Sequence, residues 1–216
     1  MLAIINFKAY KTSTGVNAVK LAKICEKVAK RLKANIAVAV QPSDIFAVAA
    51  NVKIPVLAQH VDAIEFGAKT GWILPESVQQ AGAIGSLVNH SEHQLPMNAI
   101  KSTIERLRSL GMLSVVCANT PSTAVRIAEF NPDIIAIEPP ELIGGDISVS
   151  KAKPEVITQS TRQIKHIPVL CGAGIKSKDD VRKSVKLGAK GILVASGVTN
   201  AQNPEKALTD LVRGLN

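Results

Sequence analysis

Residues 131 to 146 read Asn-Pro-Asp-Ile-Ile-Ala-Ile-Glu-Pro-Pro-Glu-Leu-Ile-Gly-Gly-Asp, so that an apolar run ends on a carboxylate. The run at 134–137 indicates a strand covered on both sheet faces, as parallel strands are. Glu138 is the first charged side chain after it, and we expect Glu138 at the rim of the sheet, where catalytic bases of α/β enzymes lie. From this segment alone, an ordinary loop carboxylate is an equally good interpretation.

The segment after Glu138 begins with Pro139-Pro140 and ends with Gly144-Gly145, which indicates a loop with one stiff and one flexible hinge. A carboxylate becomes an effective base only where solvent is excluded. We therefore expect residues 139–145 to form a mobile lid over Glu138.

Outward from this strand, β-rich runs recur about every 25 residues, with amphipathic stretches between them. Helix starts are indicated by Thr120-Pro121, by a capping box at 177–180 and by Asn203-Pro204. Residues 62–82 and 90–98 look irregular, so we expect reduced or displaced helices around the third and fourth loops. Eight strands are predicted, at residues 2–6, 35–40, 55–59, 84–89, 112–117, 134–138, 167–171 and 191–195.

Eight alternations without a break in composition favour one closed (β/α)8 barrel over residues 1–216, rather than an open doubly wound sheet. At 216 residues and 22.8 kDa, the chain suits a single domain of near-minimal length for this fold. The Gly-rich fingerprint of a dinucleotide site is absent after the first strand. In such a barrel the chemistry lies at the carboxyl ends of the strands.

Composition narrows the function classes. Aromatic residues make up only 3% of the chain, so we expect a core of small aliphatic side chains. The sequence carries no apolar stretch long enough for a bilayer and no signal peptide, which predicts a cytoplasmic protein with no membrane partner. Three widely spaced cysteines fit neither a disulfide framework nor a metal site, and reduced, buried thiols are expected: Cys25, Cys117 and Cys171.

The formal net charge is +9, which suits nucleic acid, an anionic substrate or simply a basic surface. Much of the excess positive charge lies on one face of a helix predicted at 16–33, and exposure of that face to solvent explains it. Because the chain has no recognisable nucleic-acid motif and no aromatic interleaving for base stacking, we expect no nucleic-acid partner.

Polar side chains follow the first and fourth predicted strands. Side chains alternate along a strand, so Asn6 and Lys8 share one face and point into the barrel mouth, while Phe7 packs outward. His90 follows its apolar run directly, as Glu138 does, and we expect it in the same mouth. Taken singly, Lys8 is as well explained as a surface lysine, and His60 and His166 are interpreted as structural.

Small-residue turns follow the seventh and eighth strands, with Gly172-Ala173-Gly174 in one and Ala195-Ser196-Gly197 in the other. Their backbone N–H groups are open to an anion, and a helix N-terminus nearby adds favourable partial charge. Each turn alone is explained as a tight connection, but the pair lies where barrels commonly bind phosphate.

In this order the motifs resemble the triosephosphate isomerase family, in particular its short archaeal-type form, over essentially the whole chain. The resemblance rests on Asn-Phe-Lys (6–8), Gln-His-Val (59–61), Thr-Gly-x-x-Leu-Pro-Glu (70–76), Asn-His-Ser-Glu (89–92), Ile-Glu-Pro-Pro-Glu-Leu-Ile-Gly (137–144), Cys-Gly-Ala-Gly-Ile (171–175) and Val-Ala-Ser-Gly-Val (194–198). One such motif is weak, whereas the ordered set is highly specific.

The resemblance implies a TIM barrel that isomerises a phosphorylated three-carbon substrate through an enediolate, without metal or cofactor, as a homo-oligomer. Glu138 is then the base and His90 the neutral electrophile, a division of labour known for this family rather than worked out from this chain. Glu92 is expected to pair with Lys8. The implied substrate and phosphate contacts are Asn6, Phe7, Lys8, Ile143, Gly144, Gly174, Ala195 and Ser196.

The sequence departs from the longer members of the family at two places. Trp72 lies in loop three, which serves the subunit interface in this family, and His93-Gln94 replace a common Arg-Arg pair. Other phosphate-binding barrels share the glycine-rich turns, but they do not account for the motifs at 6–8, 89–92 and 137–141 together. A binding protein that has kept the barrel and lost catalysis is opposed by intact Lys8, His90 and Glu138.

Overall fold

A computed structural model of the chain describes residues 1–139, 150 and 153–215. Eight parallel strands close into a barrel in chain order, with each strand paired to the next and the last paired to the first. The predicted strands are confirmed to within two residues at each end. They are β1 (Leu2–Asn6), β2 (Asn35–Val40), β3 (Val56–Ala58), β4 (Gly85–Val88), β5 (Leu113–Ala118), β6 (Ile134–Ile137), β7 (Val169–Cys171) and β8 (Gly191–Val194).

Helices surround the barrel and begin where the sequence indicates. Thr120 and Asn203 cap their helices through side-chain oxygens, and Ser177 forms the expected capping box with Asp180. The described α-helices are Val16–Leu32, Ile45–Ala49, Pro75–Gln80, Met97–Ser109, Pro121–Ala128, Pro154–Gln163, Lys178–Lys186, Ser196–Thr199 and Pro204–Val212, with 3-10 helices at Lys11–Ser13 and Pro42–Asp44.

The two irregular regions behave differently. After β3 the helix Pro75–Gln80 has only 6 residues, as expected from the sequence. After β4 the helix is displaced rather than reduced, because Met97–Ser109 begins at the end of the irregular segment and runs for 13 residues. The irregular part there is the loop alone, and Ile100, Ile104 and Leu107 recur at helical spacing and are buried.

Two apolar layers hold the barrel together. The interior is filled by one or two small or aliphatic side chains from every strand: Ile4, Ala37, Ala39, Leu57, Leu87, Val115, Cys117, Ala136, Leu170 and Leu193. The larger outer layer lies between strands and helices and contains Phe7, which is fully buried. Side chains after Ile4 and Ala136 on the inward face therefore emerge at the carboxyl rim of the barrel. In the described part of the chain, no helix combines the length and apolarity that a membrane span requires.

Candidate active site

A cavity opens at the carboxyl ends of the strands and gathers most of the predicted residues. It is lined by Asn6, Lys8, Tyr10, His90, Glu138, Ala173, Gly174, Ile175, Lys176, Leu193, Val194, Ala195, Ser196 and Gly197. These residues lie at or beyond the carboxyl ends of strands β1, β4, β6, β7 and β8, so the barrel brings together groups that are far apart in sequence. The mouth combines a cation, an imidazole, a carboxylate and two small-residue turns.

Lys8 is held at the end of β1 by contacts to both its backbone and its side chain. Its φ is 50°, in the left-handed region that residues other than glycine rarely adopt. Its N–H donates to Asn6 Oδ1 at 3.0 Å, and its carbonyl accepts from Gln59 Nε2 at 3.0 Å. Lys8 Nζ lies 2.7 Å from Glu92 Oε1, which confirms the expected ion pair. The ammonium therefore has a defined position before any substrate binds.

His90 reaches the mouth because the chain turns at the residue before it. Leu87 faces the barrel interior, so simple alternation points Asn89 inward and His90 outward. Instead, Asn89 has a φ of 59°, which ends the alternation. Its side chain then bridges two segments, with Nδ2 donating to Cys117 O at 2.9 Å and Oδ1 accepting from Leu95 N at 2.9 Å. Asn89 thus anchors the loop that carries His90.

A hydrogen bond to the His90 ring indicates which of its nitrogens carries the proton. The backbone N–H of Glu92 donates to His90 Nδ1 at 3.2 Å, so Nδ1 acts as an acceptor. In a neutral imidazole with that acceptor, the proton lies on Nε2. His90 Nε2 faces Glu138 Oε2 across 3.7 Å, and the His90 side chain is 8% exposed. The ring therefore presents an N–H donor to the cavity.

Glu138 follows β6 and is buried, with 5% of its surface exposed. Its N–H donates to Ala118 O at 2.9 Å, which continues the ladder between β5 and β6 by one residue. Among the described residues, Glu138 Oε2 has no hydrogen-bond partner. A buried carboxylate oxygen without a donor is costly, and such groups are characteristic of functional sites.

Cys117 lies on β5 beside Glu138. Burial is the main cause that raises the pKa of the Cys117 thiol well above its usual range, and the neighbouring Glu138 carboxylate raises it further. The thiol therefore stays neutral near pH 7. A second negative charge is thereby kept away from Glu138. As expected, Cys25, Cys117 and Cys171 are all buried and free of disulfides.

The turns after β7 and β8 pack against each other on the far side of the mouth. Ala173 and Gly174 are both left-handed, with φ of 61° and 66°. A Cβ on Gly197 would lie 3.0 Å from Ile175 O, so the close approach of the two turns favours glycine there. The helix Ser196–Thr199 starts in this turn, and its first N–H groups have no partner within the helix. Backbone donors from both turns therefore border the cavity.

Three predicted contacts are not brought to the mouth by the described structure. The side chain of Phe7 is fully buried between strands and helices and does not line the cavity. Ile143 and Gly144 lie outside the described residues, as does the expected lid beyond Pro139. The notion of a lid therefore stays a prediction.

Several residues of the site were missed from the sequence. Tyr10 and Lys176 line the cavity, and neither follows an apolar run in a way that signals a site. Gln59 is different, because it closes the run of the third predicted strand as His90 and Glu138 close theirs, and it bonds both Lys8 O and Ala39 O. The position of Gln59 at the end of a predicted strand could therefore have identified it as a residue of the site.

His60 is tied into its surroundings, which agrees with a structural role. Its Nε2 lies 3.2 Å from Asp62 Oδ1, and its ring stacks on that of His93 with centroids 4.3 Å apart. Burial lowers the pKa of His60, and the neighbouring Asp62 opposes this by a smaller amount. The pair packs the third loop against the loop that carries His90.

Comparison with known proteins adds a family to this geometry. The family model described as triosephosphate isomerase matches residues 1–214. A protein of that name from Methanobacterium bryantii is 49% identical over 215 residues, covering 98% of this chain and 95% of its own length. Those from Methanothermus fervidus and Methanocaldococcus jannaschii are 48% and 44% identical; they cover 98% and 99% of this chain and 97% and 99% of their own lengths.

Proposed function

The chain belongs to the triosephosphate isomerase family, and we propose that it interconverts dihydroxyacetone phosphate and D-glyceraldehyde 3-phosphate, a step of glycolysis and gluconeogenesis. The observation that carries the proposal is the convergence of Lys8, His90 and Glu138 at one mouth, with His90 Nε2 and Glu138 Oε2 3.7 Å apart. An aldose–ketose isomerase needs a base, an acid and a positive charge within reach of two neighbouring carbons.

Glu138 acts as the base. It takes a proton from the carbon next to the carbonyl, the C–H electron pair becomes the double bond of an enediolate, and the proton returns to the neighbouring carbon. The burial of Glu138 and the unpartnered Oε2 support this role, because a carboxylate oxygen that accepts no hydrogen bond within the described chain is available for a proton.

His90 acts on the oxygens. Its Nε2–H donates to the carbonyl oxygen of the substrate and then carries protons between the two oxygens of the enediolate. The contact from Glu92 N to His90 Nδ1 supports a neutral ring as the donor, the state known for the corresponding histidine of this family.

Lys8 and Asn6 stabilise negative charge. The ammonium of Lys8 is on the cavity wall and attracts both the anionic substrate and the developing oxyanion. Its partner Glu92 is 58% exposed in the side chain, so the ion pair is readily rearranged when a substrate enters.

The phosphate binds between the two small-residue turns. Backbone N–H groups of Gly174, Ala195 and Ser196 supply donors there, and the short distance between the turns at Gly197 supports one shared anion site. We extend the proposal to Ile143 and Gly144, which lie outside the described residues, as further contacts from a lid over residues 139–145.

The active protein is a homo-oligomer, at least a dimer, in the cytoplasm. Oligomerisation is supported by large apolar side chains that are exposed at the surface, namely Phe46, Phe66 and Trp72 at 71%, 71% and 58%. Two of the three lie in the third βα loop. Sedimentation of the purified chain distinguishes a dimer from a tetramer.

A coupled assay that follows isomerisation of D-glyceraldehyde 3-phosphate tests the function. The wild-type chain is expected to be active, and Glu138→Gln is expected to lose at least about 1,000-fold in kcat, because the amide cannot accept the proton. Absence of activity in the wild type, or activity that does not depend on Glu138, contradicts the proposal. Unchanged inhibition by inorganic phosphate in the variant controls for correct folding.

A further inference from the structure

Gly172 lies directly beside Glu138 in the barrel wall. Ile137 pairs with Cys171 in the register between β6 and β7, and Gly172 N donates to Ile137 O at 2.9 Å. The next pair in that register is Glu138 with Gly172. Register partners in parallel strands point to the same face, so a side chain at 172 points into the barrel mouth, as Glu138 does.

The space for such a side chain is filled by Glu138 itself. A Cβ built on Gly172 lies 2.7 Å from Glu138 Oε1 and 2.9 Å from Cδ, closer than non-bonded carbon atoms approach. The three nearest atoms all belong to the Glu138 side chain.

The backbone at Gly172 does not explain the glycine. Unlike Gly174, whose φ is 66°, Gly172 lies outside the left-handed region, so an alanine fits its backbone without strain. The absence of a side chain at 172 therefore serves the neighbouring carboxylate rather than the turn.

We propose that Gly172 is a positioning residue for Glu138, because its missing side chain leaves the space in which the carboxylate lies within reach of His90. This inference rests on the proposed role of Glu138 as the base. The atom of Glu138 nearest to the added methyl group is Cγ, so the whole side chain must rotate and its carboxylate is displaced from the position that faces His90. A displacement of about 1 Å is enough to cost about 100-fold in rate.

Steady-state kinetics of Gly172→Ala test the proposal. We expect kcat to fall by about 100-fold, with KM and the inhibition constant of inorganic phosphate changed by less than about threefold, because the phosphate turns are not touched. The matched control is Cys171→Ala, which alters the preceding residue, on the outward face of β7, and is expected to keep kcat. A Gly172→Ala enzyme with kcat near wild type, or an equal loss in Cys171→Ala, overturns the proposal.

A crystal structure of Gly172→Ala separates this inference from the proposed function. We expect the Glu138 carboxylate to lie farther from His90 Nε2 than the present 3.7 Å, and an unmoved carboxylate overturns the inference. Should Gly172→Ala fail to fold, the double variant with Glu138→Ala is expected to fold, since the conflicting atoms are gone; failure of the double variant also overturns it. Wild-type turnover in Glu138→Gln contradicts the proposed function alone. The position of the Glu138 carboxylate in the Gly172→Ala crystal structure then still tests whether Gly172 leaves the space for it.

Discussion

The ends of β1 and β6 place opposite charges in the same cavity but hold them in opposite ways. At the end of β1, Lys8 is bonded through its N–H, its carbonyl and its ammonium to Asn6, Gln59 and Glu92. At the end of β6, Glu138 is equally sheltered, yet its Oε2 has no hydrogen-bond partner in the described part of the chain. Lys8 is held by three partners, whereas one oxygen of Glu138 has none in the described part of the chain.

The difference matches the chemistry proposed for each group. A cation that stabilises an oxyanion works best when its position is set before the reaction, because no reorganisation is then needed. A base must gain and lose a proton and move between two carbons, so strong fixed donors on its oxygens weaken it. The contrast predicts that the group at the β1 end acts through its charge, and that the group at the β6 end depends on the position of its carboxylate as well as on its charge.

An effect about as large as that of Glu138→Gln is expected from removing the charge at the β1 end. Lys8→Met keeps the length of the side chain and removes the ammonium, and kcat/KM is expected to fall by about 1,000-fold. Glu92→Gln is the control, since it removes the partner and leaves the charge; it is expected to stay within about fivefold of wild type. A Lys8→Met enzyme within tenfold of wild type contradicts the role of Lys8.

A smaller effect is expected from shortening the base. Glu138→Asp keeps the charge and withdraws the carboxylate by about one methylene, so kcat is expected to fall by about 100-fold while KM stays nearly constant. The split between kcat and KM in a steady-state assay is the measurement. Retention of wild-type turnover shows that the position of the carboxylate does not matter, and the base assignment then fails.

A still smaller effect is expected from loosening the backbone of Lys8. Gln59→Met removes the donor to Lys8 O and Ala39 O, and kcat/KM is expected to fall by about tenfold, because the left-handed turn at Lys8 loses its main support. Gln41→Met is the matched control: its contact to Lys8 O is long, at 3.5 Å, and little change is expected. Equal losses in both variants contradict the special place of Gln59.

The smallest effect concerns Cys117, the neutral neighbour of Glu138. Its folded pKa is raised above the ordinary 9.0, so the stability that it contributes is complete below pH 9 and is lost as the pH rises towards the folded value. Between pH 8 and pH 10 the wild type is expected to lose about 1 kcal/mol more than Cys117→Ala. Urea unfolding of both proteins at the two pH values is the measurement, and parallel losses contradict the shift.

Much of the site follows from where apolar runs stop. We placed four residues at the mouth because each ends or follows a predicted strand, and the barrel brings such ends together: Asn6, Lys8, His90 and Glu138. The ties that secure Lys8 were not foreseen, with the exception of Glu92, because a hydrogen bond from Gln59 to a carbonyl 51 residues away depends on three-dimensional register.

Local geometry accounts for the other features of the site that the sequence did not predict. His90 was expected in the mouth from its place in the sequence, but it arrives there through the left-handed turn at Asn89, which strand alternation does not predict. The contact between Gly172 and Glu138 could not be predicted for a related reason, since the two residues follow different strands. Patterns along the chain identify strand ends, whereas contacts across strands need the fold.

Hydrogen exchange at the substrate tests the central claim most directly, namely that Glu138 is the base. Dihydroxyacetone phosphate is incubated with enzyme in deuterium oxide, and NMR follows deuterium entering the carbon next to the carbonyl. The wild type is expected to exchange this hydrogen during turnover, and Glu138→Gln to do so at least about 1,000-fold more slowly. Exchange by Glu138→Gln at the wild-type rate contradicts the account.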